Sequence, residues 1–274
     1  MWPSFAFAQN APNLFDTNTR EQSVETISVP ALRFLTTPDF PPFNYRDAEG
    51  ELVGFNIDLA EEICRILDIA CTLQAWPWQQ AADALADNQG DVLLAGLALN
   101  EKNADRFDFS HIYFKFPARF VTRQVSAANF SLPTGHGGKE RANNSQDELT
   151  GPIRTFAVRA GSRHQEFLTT YFPDLEIVAF DTEIEALDAV EGEEAYAFFG
   201  DGMRSSFWLN EHVDCCTFVA DPYFNAQYFG EGLAAAFPIG QVQTRRAINS
   251  ALFALKREGV LDDLYLRWFP VGFY

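Results

Sequence analysis

The stretch "LRFLTTPDFPPFNYRDAEGELVGFNIDLAEEICRIL" (residues 32–67) decides the fold, because it holds a strand, a loop, a hairpin and a helix in succession. The apolar run at 32–37 predicts a β-strand, and residues 44–55 predict a hairpin. From 56 to 67 the apolar residues recur with the period of an amphipathic helix. The stretch therefore predicts the first unit of an α/β fold.

The loop inside this stretch places two prolines, Pro41 and Pro42, between two phenylalanines, Phe40 and Phe43. Proline fixes φ and removes a backbone donor, and the residue before it is pushed to extended conformations. The loop is therefore stiff and can hold an aromatic ring in a set place.

The chain contains two strand–helix series in succession, and the second starts at "IRTFAV" (153–158). Two such series predict two α/β lobes. The segments "FVTRQ" (120–124) and "QYFGEG" (227–232) favour paired extended segments that cross between the lobes. Ligands bind preferentially in clefts between domains, so we expect a ligand cleft at this crossing.

These crossings fix the expected domain boundaries. Lobe one comprises residues 31–122 together with 225–274, and lobe two comprises 123–224. Within lobe two, residues 125–150 are polar, aperiodic and rich in Gly, Asn and Ser, which predicts a mobile loop.

Composition excludes several classes of partner. The 274 residues carry a formal net charge of −18, whereas nucleic acids and anionic membranes require clustered Lys and Arg. No run approaches the roughly 18–20 apolar residues of a membrane span. The four histidines are scattered, so no metal-site spacing and no cofactor site is predicted.

The N-terminus, residues 1–30, is interpreted as the remnant of a signal peptide followed by a disordered segment. Ala6, Phe7 and Ala8 fit the small-x-small pattern before a signal-peptidase cut, with Gln9 as the new first residue. The alternative is an ordinary disordered N-terminus.

Four cysteines, an even number, suggest disulfides in an exported protein. We expect a bond between Cys64 and Cys71, with two buried thiols as the alternative. A bridge between the adjacent Cys215 and Cys216 is strained, and the state of this pair stays open.

Seven motifs occur in one order that resembles the family-3 extracellular solute-binding proteins, the periplasmic receptors of polar amino-acid ABC transporters. The motifs are "DFPPFNY…GELVGFNIDLAEEI", "GDVLLAG", "FDFSHIYF", "AVRAGS", "GD" at 200–201, "YFGEGLAAAF" and "LDDLYLRWF". The resemblance covers about residues 32–269. It implies a type II periplasmic binding protein, with two α/β lobes joined by two hinge crossings that close on a ligand. The pair Cys64 and Cys71 also resembles the short disulfide of the histidine and lysine/arginine/ornithine receptors.

The resemblance implies a set of ligand-binding positions, of which two depart from the pattern. Phe40 stands where the family stacks an aromatic ring on the ligand; the alternative is a ring that only packs beside Phe43. The family usually has Ser or Thr at the position of Ala98, and at the position of Asn103 an Arg that binds the ligand's α-carboxylate. Asn103 offers a neutral amide, so the ligand's identity is open.

Two hypotheses account for the missing arginine. In the first, the cation is Arg163, in a loop that opens a helix where backbone N–H groups also favour an anion. Gly161 and Ser162 of this loop are further expected ligand-binding positions, and Ser162 would add a hydroxyl. The alternative for Arg163 is a surface residue near Glu166. In the second hypothesis the ligand lacks an α-carboxylate.

Asp201 stands where the family holds the ligand's α-amino group, and a carboxylate at a strand end is a sound acceptor. Its alternative is a helix N-cap before "GMRSSFW".

The leading functional hypothesis is a periplasmic, monomeric binding protein that captures a small polar solute, amino-acid-like or amine-containing, for a membrane ABC permease. A second hypothesis is an enzyme similar to the cyclohexadienyl dehydratases, with Glu231, Asp201 and His164 as titratable candidates. A third is an accessory or sensing protein of the same fold that binds a partner protein instead of a solute.

Overall fold

In a computed structural model of the chain, the described residues are 29–132 and 154–274. They form short strands and longer helices in alternation. The strands are β1 (Leu32–Thr36), β2 (Asp39–Phe40), β3 (Asn44–Arg46), β4 (Leu52–Val53), β5 (Cys71–Ala75), β6 (Val92–Leu93), β7 (Phe107–Phe109), β8 (Ala118–Arg123), β9 (Thr155–Arg159), β10 (Glu176–Phe180), β11 (Ala197–Asp201), β12 (Cys216–Tyr223) and β13 (Ala236–Pro238). The helices are α1 (Phe55–Leu67), α2 (Trp78–Ala86), α3 (Glu101–Ala104), α4 (Gln124–Ala127), α5 (Arg163–Tyr171), α6 (Glu183–Glu191), α7 (Gly202–Glu211), α8 (Ala226–Phe229), α9 (Val242–Arg257) and α10 (Val260–Trp268).

The described residues divide into two compact units. Unit 1 runs to Lys115 and resumes over Gly230–Pro270, and unit 2 comprises Phe116–Phe229 with Val271–Tyr274. The boundaries therefore differ from the expected 122/123 and 225, and the last four residues belong to unit 2. The difference has a physical cause, because the whole of β8 pairs with β11 and β12 in the sheet of unit 2.

Unit 1 is built on a five-stranded sheet in the order β5-β1-β6-β13-β7, with a separate three-stranded sheet β2-β3-β4. β1 is parallel to both β5 and β6, whereas β13 is antiparallel to its neighbours. Four phenylalanines that are almost fully buried pack their rings together beside the sheets, namely Phe43, Phe55, Phe114 and Phe269. The hairpin β3–β4 and helix α1 are thereby fixed to the C-terminal part of the unit.

Unit 2 is built on a sheet in the order β10-β9-β11-β8-β12. β9 lies between β10 and β11 and is parallel to both, whereas β8 is antiparallel to β11 and β12. Helix α6 begins with a capping box: the Thr182 hydroxyl accepts from the N–H of Glu185, whose carboxylate accepts from the N–H of Thr182. Unit 2 is thus an α/β layer in which the parallel strands β9 and β11 end at the same edge.

Two parts of the predicted second series were wrong. The segment "QYFGEG" (227–232) was expected to be extended, but it contains most of helix α8 and no strand. Consequently "FVTRQ" does not pair with "QYFGEG"; β8 pairs instead with β11 and with β12, a strand that the sequence did not predict. The start of the expected mobile loop at 125–150 is also helical, in α4, while residues 133–153 lie outside the described part.

Both cysteine pairs are bonded. The bond between Cys64, near the end of α1, and Cys71, at the start of β5, confirms the expectation. Cys215 and Cys216 are also bonded, although the strain argument disfavoured this pair. Both of their N–H groups donate to the carbonyl of His212 at 3.1 Å, so the chain is already tightly turned there.

Among the described residues, no helix combines the length and the apolar composition that crossing a bilayer requires. The expected signal-peptide remnant falls almost wholly on residues 1–28, which lie outside the described part.

Candidate functional site

The ends of β9 and β11 position two charged side chains in unit 2. Arg159 is the last residue of β9 and Asp201 is the last residue of β11. Because the two strands are adjacent and parallel, both residues lie at the carboxyl edge of the sheet, where α/β proteins bind ligands.

A pocket of about 350 Å³ lies at this edge, entirely within unit 2. Five of the lining residues carry formal charges, namely Arg159, Arg163, Glu183, Asp201 and Arg204. Its volume is within the range of small-molecule sites. The pocket can therefore contact both signs of charge on one small molecule.

The N-terminus of α5 forms one wall of this pocket. Gly161 has a φ of +62°, a left-handed conformation that favours glycine, and its N–H donates to Oε1 of Gln165 at 2.8 Å. Ser162 caps the helix: its Oγ accepts from the N–H of Gln165 at 3.1 Å and donates to the carbonyl of Arg159 at 2.6 Å. The Ser162 hydroxyl that was expected to contact a ligand is thus engaged within the protein.

Two backbone N–H groups at the same helix end are free to bind a ligand. Those of Arg163 and His164 donate to no acceptor among the described residues, as is usual for the first residues of a helix. An anion is favoured at such a position by both the free donors and the helix dipole.

The Arg163 guanidinium is already paired. Its Nη1 lies 2.6 Å from Oε2 of Glu166, and its Nη2 lies 3.4 Å from the carbonyl of Gln227. The guanidinium carbon also lies 5.8 Å from the ring centre of Tyr228. Arg163 lines the pocket, as required if it binds the carboxylate of the solute. Its ion pair with Glu166, however, agrees with the alternative prediction of a surface residue near Glu166.

Arg159 was not among the predicted site residues. Its side chain is exposed, lines the pocket and also borders an adjoining pocket of about 770 Å³. Within the described ranges, its guanidinium has neither a hydrogen bond nor an ion pair, whereas Arg204 contacts Glu183 at 3.3 Å. The sequence contained a signal for this residue, since Arg159 lies in the motif "AVRAGS" directly after the predicted strand at 153–158.

Asp201 combines both roles that the sequence allowed. Its Oδ1 accepts from the N–H of Arg204 at 2.9 Å, so it caps α7, and the same carboxylate lines the pocket. Burial raises the pKa of Asp201, and the nearby Glu183 raises it further, against the hydrogen bond from Arg204. A backbone hydrogen bond from Met203 also lowers this pKa, and the carboxylate lines the pocket, where an amine or hydroxyl can donate to it.

His164 packs against aromatic rings in the wall of the pocket. Its ring stacks on Phe229 with 5.0 Å between centres and meets Phe199 edge-on at 6.0 Å. Burial lowers the pKa of His164 to about 4, and the positive charges of Arg159 and Arg204 contribute to that shift. His164 is therefore neutral near pH 7.

The remaining predicted residues lie in unit 1. Phe40 is half-buried, stacks on Phe43 with ring centres 4.9 Å apart, and closely approaches Gly96, where a Cβ would lie 2.8 Å from Phe40 Cε1. Asn103 donates from Nδ2 to the carbonyl of Ala98 at 2.8 Å. Thus Gly161, Ser162, Arg163 and Asp201 come together in one pocket, Ala98 and Asn103 contact each other, and a role of Phe40 in ligand stacking stays a prediction.

The fold also brings together one group of metal-ligating side chains that the spacing of the histidines did not reveal. Asp188, Glu191 and His212 place one ligand atom each within 4.8 Å of one another. His212 Nδ1 lies 2.8 Å from the carbonyl of Trp208, and Asp188 accepts from the Trp208 indole at 3.0 Å. The two carboxylates are exposed, and such acidic groups commonly occur without an ion.

Comparison with known proteins identifies the family of this chain. Residues 32–271 match the family model of the bacterial extracellular solute-binding proteins, family 3. The chain belongs to this family. The recognition made from the motifs is therefore confirmed, as is the type II periplasmic binding protein fold.

Among its relatives is the arginine-binding periplasmic protein of Mannheimia haemolytica, 24% identical over 84% of this chain and 88% of that protein. Two solved structures have the same fold. An ancestral cyclohexadienyl dehydratase is 21% identical over 88% of this chain and 93% of its own, with a TM-score of 0.70. The L-cystine solute receptor of Neisseria gonorrhoeae is 17% identical over 90% of this chain and 96% of its own, with a TM-score of 0.69.

Proposed function

We propose that this chain is a periplasmic receptor that captures a small polar solute, amino-acid-like or amine-containing, and delivers it to a membrane permease of the ABC type. Membership of the solute-binding family supports the general role, and relatives named for the amino acid that they bind support the class of solute. We also propose that it acts as a monomer.

The observation that carries the proposal is the pocket of unit 2. It offers an acceptor for an amine in Asp201, two free backbone donors at the start of α5, and aromatic walls in Tyr228 and Phe229. A small zwitterion needs this combination of an acceptor, donors and apolar surface.

The test is a thermal-shift screen on protein that has been unfolded and refolded to remove any bound solute. A solute present at 100 times its Kd stabilises the folded protein by about 2.7 kcal/mol, which raises Tm by several degrees. At least one compound among L-amino acids, amines and organic acids should produce such a rise. If none does, the proposal fails.

Asp201→Asn locates the binding, because asparagine keeps an oxygen for capping α7 but removes the negative charge. For an amine-containing solute, we expect its Kd to rise at least 10-fold while the Tm without solute changes little. Asp174→Asn, at an exposed acid outside the pocket, is the matched control and should leave Kd unchanged.

An enzymatic role is less well supported. Asp201 and His164 line the same pocket of unit 2, and a histidine whose pKa lies near 4 is a weak general base at neutral pH. Glu231 belongs to unit 1, and its part in such a site stays a prediction. The dehydratase with a similar structure supports a common fold only. Turnover of prephenate or arogenate by the purified protein would nevertheless show that it is an enzyme.

The accessory or sensing hypothesis makes a different prediction. A protein of this kind would form a tight complex with a periplasmic partner and would show no stabilisation by any solute. The same thermal-shift screen therefore separates it from a transport receptor.

A further inference from the structure

We infer that Arg159 is the residue that binds the carboxylate of the solute, and that the solute is an amino acid or organic acid with a neutral or acidic side chain rather than a basic one. This inference rests on the proposed function, since it names the class of solute for the pocket of unit 2. It differs from the sequence hypothesis, which assigned the carboxylate to Arg163.

The cations around the pocket differ in their pairing. Arg163 is bound to Glu166 at 2.6 Å, and Arg204 contacts Glu183 at 3.3 Å. Arg159 has no such partner among the residues that the structure describes, although its side chain lines the pocket. An unpaired guanidinium can form a bidentate, charge-assisted contact with a carboxylate without first breaking an ion pair.

Other hydrogen-bond donors line the pocket together with Arg159. Arg159 precedes the turn at Gly161, and the free N–H groups of Arg163 and His164 follow it at the start of α5, a helix of nine residues. All of these residues line the same pocket of about 350 Å³. A carboxylate bound there would receive donors from both the guanidinium and the backbone.

The charges that line the pocket also bear on the side chain of the solute. Arg163 and Arg204 pair with Glu166 and Glu183, which leaves Arg159 as the unpaired cation of this small pocket among the described residues. The charges of Arg159 and Arg204 both lower the pKa of the neighbouring His164. Placing a second cationic group of a solute near these guanidinium groups is unfavourable. A solute such as L-arginine is therefore disfavoured, even though the Mannheimia haemolytica relative is named for binding arginine.

The test uses isothermal titration calorimetry on refolded, solute-free protein with L-glutamate, L-glutamine, succinate, L-arginine, inorganic phosphate and succinamide. We expect at least one of the first three to bind at least 10-fold more tightly than L-arginine. Succinamide, which has the skeleton of succinate without its charges, should not bind.

Three substitutions then locate the contact. Arg159→Gln should raise the Kd of the tightest-binding carboxylate of this panel by about 10- to 150-fold, the range expected for loss of one charged hydrogen-bonded contact. Arg159→Lys should restore part of the loss, because it keeps the charge but not the bidentate geometry. Arg246→Gln, at an exposed arginine of unit 1 without an ion pair among the described residues, is the control of equal charge and should have no effect.

Each outcome is decisive. Tighter binding of L-arginine than of every carboxylate, or binding of phosphate alone, would overturn the inference while the receptor function survives. An unchanged Kd in Arg159→Gln, with the Tm of the solute-free protein intact, would also overturn it. Failure of this panel and of the whole thermal-shift screen would instead remove the proposed function itself.

Discussion

At the scale of single residues, the candidate site depends on which charged side chains already have an ion-pair partner in the protein. Arg163 and Arg159 are four positions apart and line the same pocket, yet the first has Glu166 as a partner. The sequence showed that Glu166 follows Arg163 at a spacing suited to a helical ion pair. It could not show that Arg159 remains unpaired, because that depends on which side chains the folded sheet brings near it.

The protonation of His164 provides a test at this scale. We expect its imidazole to titrate with a midpoint near 4 in the folded protein, because burial and the charges of Arg159 and Arg204 disfavour the cation. Ring resonances followed by NMR between pH 3 and 8 measure this directly. A midpoint near the ordinary value of 6.5 would contradict the buried, positively charged environment.

The same shift has a consequence for stability. The unfolded chain binds a proton at His164 below about pH 6.5, whereas the folded chain does so only near 4, so the free energy of unfolding falls as the pH is lowered through this window. The full effect is of the order of 3 kcal/mol. In His164→Gln, urea unfolding should show a shallower dependence on pH between 4 and 6.5 than the original chain; identical slopes would refute this.

At the scale of elements, the strongly periodic segments were the most predictable. Helices α1 and α9 follow from their apolar stripes, and the capping box at Thr182 marks the start of α6 as a local pattern. Short or mixed segments were not predictable. Residues 227–237 combine aromatics and glycines that suit a strand, but packing of the Phe229 ring on His164 accompanies a short helix there.

The capping box makes a quantitative prediction. Thr182→Ala removes the oxygen that accepts from the N–H of Glu185, so we expect a loss of about 0.5–2 kcal/mol in the free energy of unfolding. Chemical denaturation followed by circular dichroism measures the change. Thr182→Ser keeps the hydroxyl and should lie close to the original chain; an equal loss in both variants would show that the cap is not the cause.

At the scale of the whole molecule, the order of the motifs predicted the family and the two-lobed fold, because each motif places a strand end or a helix start. The domain boundaries were less predictable, since pairing of β8 with two distant strands assigns that segment to unit 2. The identity of the solute was not predictable, because Asn103 stands where the resemblance implies an arginine that binds the α-carboxylate of an amino acid.

The net charge of the molecule also bears on the solute. At −18, the overall field repels an anion at long range, so recognition of a carboxylate must come from the local donors in the pocket. Screening at physiological salt limits that repulsion to about 8 Å.

The most direct test of the central claim, that the solute binds at the start of α5 in unit 2, is an NMR titration of ¹⁵N-labelled protein with the tightest-binding compound of the calorimetric panel. If the solute binds there, the amide resonances of Arg163 and His164 shift and saturate with the same Kd that calorimetry measures. A compound that binds by calorimetry while both of these resonances stay unmoved would contradict it.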